Sequence, residues 1–232
     1  MTLKLKIRTL DNFQGSLTNR TFLAVREAII ELNFLSGEII RKHDICNALG
    51  VSRSPVSEAL AKLRNEGLVE VVPQSGTFVS RFSLQDIKEG AFLREAIELA
   101  CIEILASNIS EQQLIHLNRN LKLQKVLAET DDYQGFYQLD AEMHGMIMDF
   151  TGYKNLAKVT KTGWVQADRA RQLLLPVDGR LKKAFQEHRA VIKALEKKDV
   201  ALAREKMRTH LNQLILLLTP LEKKHPHLFE NS

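Results

Sequence analysis

Cysteine is scarce. Only Cys46 and Cys101 occur in 232 residues, too few for a disulfide framework. Both fall in apolar helical patterns and read as buried free thiols in a reducing cytoplasm. Long hydrophobic runs are missing as well. The longest near the end, Leu214 to Leu218, is far short of the roughly 20 residues that a membrane-spanning helix needs. The opening MTLKLKIRTL alternates charge with apolar residues and has no h-region, so it is not a secretory signal. There is no repeat and no low-complexity tract. Neither sign of charge dominates: the net charge is +5 and the isoelectric point about 9.2. This mild excess suits a DNA partner and equally suits many soluble enzymes. Residues 1–82 hold eleven Lys and Arg against eight Asp and Glu, a modest bias toward the first third. What is left is a soluble cytoplasmic chain, 44% apolar, long enough for one large domain or two smaller ones.

Local signals divide the chain. Residues 1–18 read as an irregular arm. A helix is predicted from about Thr21 to Asn33, with Leu23, Val25, Ala28, Ile29 and Leu32 on one face. Ile39 and Ile40 form a short extended bridge. Asp44 is placed to cap a helix from Ile45 to Leu49, Gly50 to supply a left-handed turn, and Ser52 to cap the next helix. Pro55 sits in that helix's first turn, where a missing N–H costs nothing, and Gly67 ends it. Leu68 to Val72, a Pro73–Gly76 turn and Thr77 to Ser80 make a hairpin wing. Helices follow near 84–108, 111–129, 132–151, 153–173, 178–198 and 199–218, and the polar segment after Pro220 reads as frayed. The fold class is mainly α: a winged helix-turn-helix domain over 19–81, an antiparallel all-helical bundle over 84–219, and a tail over 220–232.

The helix that starts at Ser52 opens with small hydroxyl residues and an arginine. A helix N-terminus offers unpaired N–H groups and partial positive charge to phosphate. Short side chains at Ser52 and Ser54 allow close approach to a groove, and Arg53 can fork onto guanine or clamp phosphate. Gly76 lets the wing lie close to a backbone. A helical pair with a hairpin also occurs in protein-interaction modules, and Lys62 and Arg64 suit an ordinary solvated face.

In the second part Asp140 and His144 are four apart and share a helix face. His188 and His210 lie on later helices beside inward-facing apolar residues. Three imidazoles and a carboxylate brought together suit Zn, Ni, Mn or Fe(II), with positions left open for water or an oxyanion. A buried histidine is more often a hydrogen-bonded core residue, and spacing does not separate the two. His116, His225 and His227 have no partner pattern and read as surface residues.

The stretch GVSRSPVSEALAKLRNEGLVEVVPQSGTFVS resembles the winged helix-turn-helix of the GntR family of bacterial transcription factors, and the match covers residues 21–80. It implies a DNA-binding set of Arg26, His43, Ser52, Arg53, Ser54, Ser57 and Gly76. Ser57 stands where the family usually has a base-reading arginine, Ser75 where a wing arginine is common, and Lys42 where glutamate is frequent. Fewer base contacts are therefore expected. The later part resembles the FCD ligand-binding domain of the FadR subfamily, in its shorter, VanR-like six-helix branch. The pattern D-x3-H, EH-x2-I/V-x2-A-L and M-x2-HL falls on Asp140, His144, His188 and His210, and an R-x3-E on Arg94 and Glu98.

This resemblance implies a bound divalent transition metal and a small carboxylate effector gripped by arginine. Arg94 is the first candidate and Arg169 and Arg171 the second, with Tyr137, Trp164 and Gln166 as possible lining. It also implies a homodimer on a palindromic operator, most often a repressor relieved by a metabolite, in which the effector shifts the placement of the two DNA heads. A regulator that senses the metal itself is the alternative. A metal-dependent hydrolase is a weaker one, because no general base is in place: Glu187 faces about 100° away from His188 on their helix.

Overall fold

The computed structural model describes residues 6–156, 160 and 163–230, which divide into two compact units, one of residues 6–84 with 224–230 and one of those between 85 and 223. In the first unit helix α1 runs Leu17–Ile30, α2 Lys42–Leu49 and α3 Arg53–Asn65. Strands β1 (Ile39–Ile40), β2 (Val69–Val72) and β3 (Gly76–Val79) form an antiparallel sheet in the order β1-β3-β2. Val25, Ile29, Phe34, Ile45, Val56, Leu63 and Leu68 are buried between them.

Helix α1 starts four residues before its expected place. Gly15, at φ +103°, turns the chain there, and the Ser16 hydroxyl accepts from the Asn19 N–H. It stops early because Leu32 adopts φ +58°, outside helical space. Helix α2 also begins earlier than expected. Arg41 stands at its N-cap and Asp44 lies inside the first turn, where its charge complements the helix dipole without capping. Gly50 does take the left-handed turn, at φ 65° and ψ 36°. Ser52 occupies the N-cap of α3, but its side chain makes no capping bond. Cys46 is half-buried and Cys101 buried, both free thiols.

The second unit holds helices α4 (Leu84–Asn108), α5 (Glu111–Glu129), α6 (Tyr133–Asp149), α7 (Val165–Leu174), α8 (Arg180–Glu196), α9 (Val200–Leu211) and α10 (Gln213–Lys224). The expected helix over 153–173 falls partly outside the described residues. Side-chain caps set several starts. Ser110 and Gln113 form a reciprocal capping box on α5, and Asp132 and Asp199 accept from Gly135 and Leu202 on α6 and α9. Gly90 allows a close approach, since a Cβ there would lie 3.3 Å from the Trp164 Cα.

Two expectations near the end are corrected. The helix over 199–218 is interrupted at Asn212 and then continues through Pro220 to Lys224. Proline is tolerated there because the carbonyl it leaves without a donor, four residues back, belongs to exposed Leu216. The segment after it is not frayed. Residues Pro226–Leu228 form a 3-10 turn and Phe229 is 2% exposed. No described helix is long and apolar enough to cross a membrane.

Candidate metal centre and nucleic-acid face

In the helical unit α6 contributes Asp140 and His144, α8 His188 and α9 His210. All four are buried, and one ligand atom from each lies within 4.8 Å of the others. The Nε2 of His210 is 3.2 Å from the Nε2 of both His144 and His188. Asp140 Oδ1 is 3.3 Å from His188 Nε2 and 3.9 Å from His144 Nε2.

Each ring is oriented from behind. His144 Nδ1 donates to Glu98 Oε2, His188 Nδ1 to Gln124 Oε1 at 2.6 Å, and His210 Nδ1 to Glu187 Oε2 at 2.9 Å. The Gln124 amide is itself set, because its NH2 donates to Asn120 Oδ1 at 2.7 Å. With the protons held on Nδ1, three Nε2 lone pairs and a carboxylate oxygen converge on one point. Such an array is repulsive on its own and favourable around a cation. Two nitrogens about 2.1 Å from one ion, at an angle of about 100°, would be about 3.2 Å apart. The residues therefore fit a divalent transition metal.

The electrostatics agree. Burial pushes the pKa of His144 down, and those of His188 and His210 well down, with the neighbouring rings adding to the effect on the last two. All three are neutral, as metal ligands must be. Burial alone would push the Glu98 carboxyl up, but the Arg94 guanidinium and His144 outweigh it and hold it well below the usual carboxylate range. Burial raises the thiol of nearby Cys101 to about 11, helped by the Glu98 charge, so it is inert.

A small cavity of about 40 Å³ adjoins the cluster, lined in part by Arg94, Asp140, Arg171, Arg180 and His210. Arg94 Nε donates to Glu98 Oε1 at 2.5 Å, and its buried Nη2 has no hydrogen-bond partner among the described residues. Arg171 abuts the Asp140 carboxylate, bonds Asp168 at 2.9 Å, and lies 5.5 Å from the Tyr137 ring centre. Burial, then Arg94, lowers its pKa to about 9.

Arg169 is a correction. It is fully buried and does not line this cavity. Two residues along a helix are about 200° apart, so α7 can offer Arg171 or Arg169 to the cavity but not both. Trp164 is buried, 6.0 Å from the Arg94 guanidinium. Neither it, Tyr137 nor Gln166 is among the lining residues.

Sequence reasoning missed three groups. Arg180 sits at the very start of α8, next to a predicted break, and grips Glu187 with two bonds of 3.1 and 3.0 Å. Glu187 serves the histidine on the neighbouring helix rather than its sequence neighbour. Gln124 carried no spacing signal. His116, His225 and His227 are exposed.

In the winged unit Ser52, Arg53 and Ser54 are exposed at the start of α3. Ser54 Oγ donates to Glu58 Oε1 at 3.2 Å. His43 is exposed and accepts from Asn47. Ser57 is half-buried and accepts from Lys42 Nζ at 3.1 Å, so two of the departures from the family pattern touch each other. Gly76 has φ +132° at the start of β3, a conformation that favours glycine. Arg26 is a correction. It is 8% exposed and its Nε donates to Glu66 Oε2 at 2.6 Å. That carboxylate at the C-cap of α3 holds the guanidinium inside the unit.

Comparison with known proteins covers both units. Residues 17–79 match the family described as bacterial regulatory proteins, gntR family, and residues 89–213 match the FCD domain. An uncharacterized HTH-type transcriptional regulator in an unstable DNA locus of Streptomyces ambofaciens is 32% identical over 91% of this chain and 90% of its own length. The HTH-type transcriptional repressor RspR of Escherichia coli K12 is 27% identical over 82% of the chain and 83% of the relative. Among solved structures E. coli McbR/YncC superposes with a TM-score of 0.78 at 20% identity, over 90% of this chain and 99% of that one, a likeness of fold.

Proposed function

Because this chain belongs to the GntR family of bacterial DNA-binding transcriptional regulators and carries the FCD domain of its FadR-like subfamily, we propose that it is a metal-containing, carboxylate-responsive repressor. It binds a palindromic operator as a homodimer in the cytoplasm. Both domains and the relatives are transcriptional regulators and not enzymes. Glu187, the nearest candidate base, is already committed to Arg180 and His210.

The observation that carries the reading is the convergence of three histidine Nε2 atoms and Asp140 Oδ1, with every Nδ1 held by an acceptor. Asp140, His144, His188 and His210 would hold a Zn, Ni, Mn or Fe(II) ion. The ion supplies a positive charge and an open coordination position for an oxyanion. Arg94, Arg171 and Arg180 offer the same anion charge-assisted hydrogen bonds. In the winged unit Arg53 and the start of α3 enter the major groove, flanked by His43 and by Ser54. Lys42, resting on Ser57, brings a cation to the position where the helix itself has none.

The test has two independent arms. Elemental analysis of purified protein should show about one transition-metal ion per chain, and none in His188→Ala. Gel shift on the DNA upstream of its own gene should show salt-sensitive, sequence-selective binding, released by a small organic acid. A metal-replete His188→Ala protein would sink the centre, and the absence of selective binding would sink the operator.

A further inference from the structure

The six described residues that follow α10 lie beyond both family matches, which end at residues 79 and 213. Yet they belong to the winged unit, whose other residues come from the first third of the chain. They are held to it through one isolated parallel bridge that lies outside the three-stranded sheet. Phe82 N–H donates to Leu228 O at 3.0 Å and Glu230 N–H donates back to Phe82 O at 3.0 Å, a parallel bridge pairing Phe82 with Phe229. The Ser36 hydroxyl donates to Leu228 O at 2.7 Å, and Arg81 Nε to the His227 carbonyl at 3.3 Å. The rings of Phe82 and Phe229 pack 5.6 Å apart, and both are almost wholly buried, at 1% and 2% exposure. The Arg81 guanidinium lies over Gly37, where an added Cβ would come within 3.3 Å of it.

We propose that residues 225–230 are a clasp of the DNA-binding unit: they fasten the segment Arg81–Phe82, through which the chain leaves the wing, and so set the unit's affinity for DNA. These bonds to the clasp come from Ser36, Arg81 and Phe82, in the two segments that flank the wing sheet. One is the turn before β1 and the other the exit after β3. Released, these segments lose the hydrogen bonds and the aromatic partner that fix where the wing begins and ends. The head that reads DNA is therefore assembled from both ends of the described chain.

The test compares the full chain with a version ending at Lys224 and with Phe229→Ala. Hydrogen exchange is read at the Phe82 amide, and binding is read on the DNA upstream of its own gene. Both variants should speed Phe82 exchange at least tenfold and weaken DNA binding at least fivefold. Metal content and the melting of the helical unit should stay unchanged. If truncation unfolds the winged unit altogether, Phe229→Ala supplies both readings. Unchanged Phe82 exchange would overturn the clasp. Faster exchange with DNA affinity unchanged within twofold would overturn its role in binding.

Discussion

The two units place their polar residues in opposite ways. In the winged unit Lys42, His43, Ser52, Arg53 and Ser54 are exposed, and the buried polar residues come down to Thr21 and Arg26 among those described. In the helical unit Arg94, Glu98, Asn120, Gln124, Asp140, His144, Arg169, His188 and His210 are all buried. A reader of DNA needs its charges in water until the duplex arrives. A receptor for an ion and a small anion needs them dry, where each Coulombic interaction is stronger. Buried ionic networks are weak sources of stability, because desolvation offsets most of their attraction. The helical unit thus carries a desolvation cost that the winged unit does not, and the ligands proposed for it would offset that cost.

The largest expected way to sharpen this contrast is Arg94→Ala. It strands the Glu98 carboxylate inside the bundle and should destabilise the helical unit by about 3–5 kcal/mol. Denaturant melts should show that transition moving alone, and a shared shift would break the contrast. Next is Gln124→Leu, which frees the His188 ring. Metal affinity should fall about 10–100-fold, measured by chelator competition, with DNA binding of the metal-loaded protein intact.

Acid comes third. The folded-state pKa values of His188 and His210 lie well below the ordinary 6.5, so unfolded rings take up protons that buried rings refuse. The stability this gives is complete above pH 6.5 and is lost as pH falls below it. The loss is on the order of 1 kcal/mol per ring over the first pH unit. Metal-free protein should show the drop in thermal melts of the helical unit, while the winged unit stays level. Smallest is Arg53→Ala, expected to weaken operator binding about tenfold. Fluorescence anisotropy would show it, and metal content should not move.

The winged fold was legible because its punctuation is local. Gly50, Pro55, Gly67 and the Pro73–Gly76 turn each mark a boundary with a stated backbone reason. That Asp140, His144, His188 and His210 come together was legible because the first two share a helix face and the family pattern falls on all four. What escaped depends on partners distant in sequence. Arg26 carries no sign that Glu66, forty residues away, will bury it. Whether α7 turns Arg169 or Arg171 to the cavity is decided by packing and not by its own residues. Gln124 and Glu187 act through histidines on other helices. The segment after Pro220 looked frayed because its one large apolar anchor, Phe229, is meaningless until Phe82 stands beside it.

The three acceptors behind the histidines have a kinetic meaning. Glu98, Gln124 and Glu187 already hold the rings in place, so an arriving ion meets a socket instead of having to fold one around itself. An ion held there, as proposed, would enter a bundle already folded around its site.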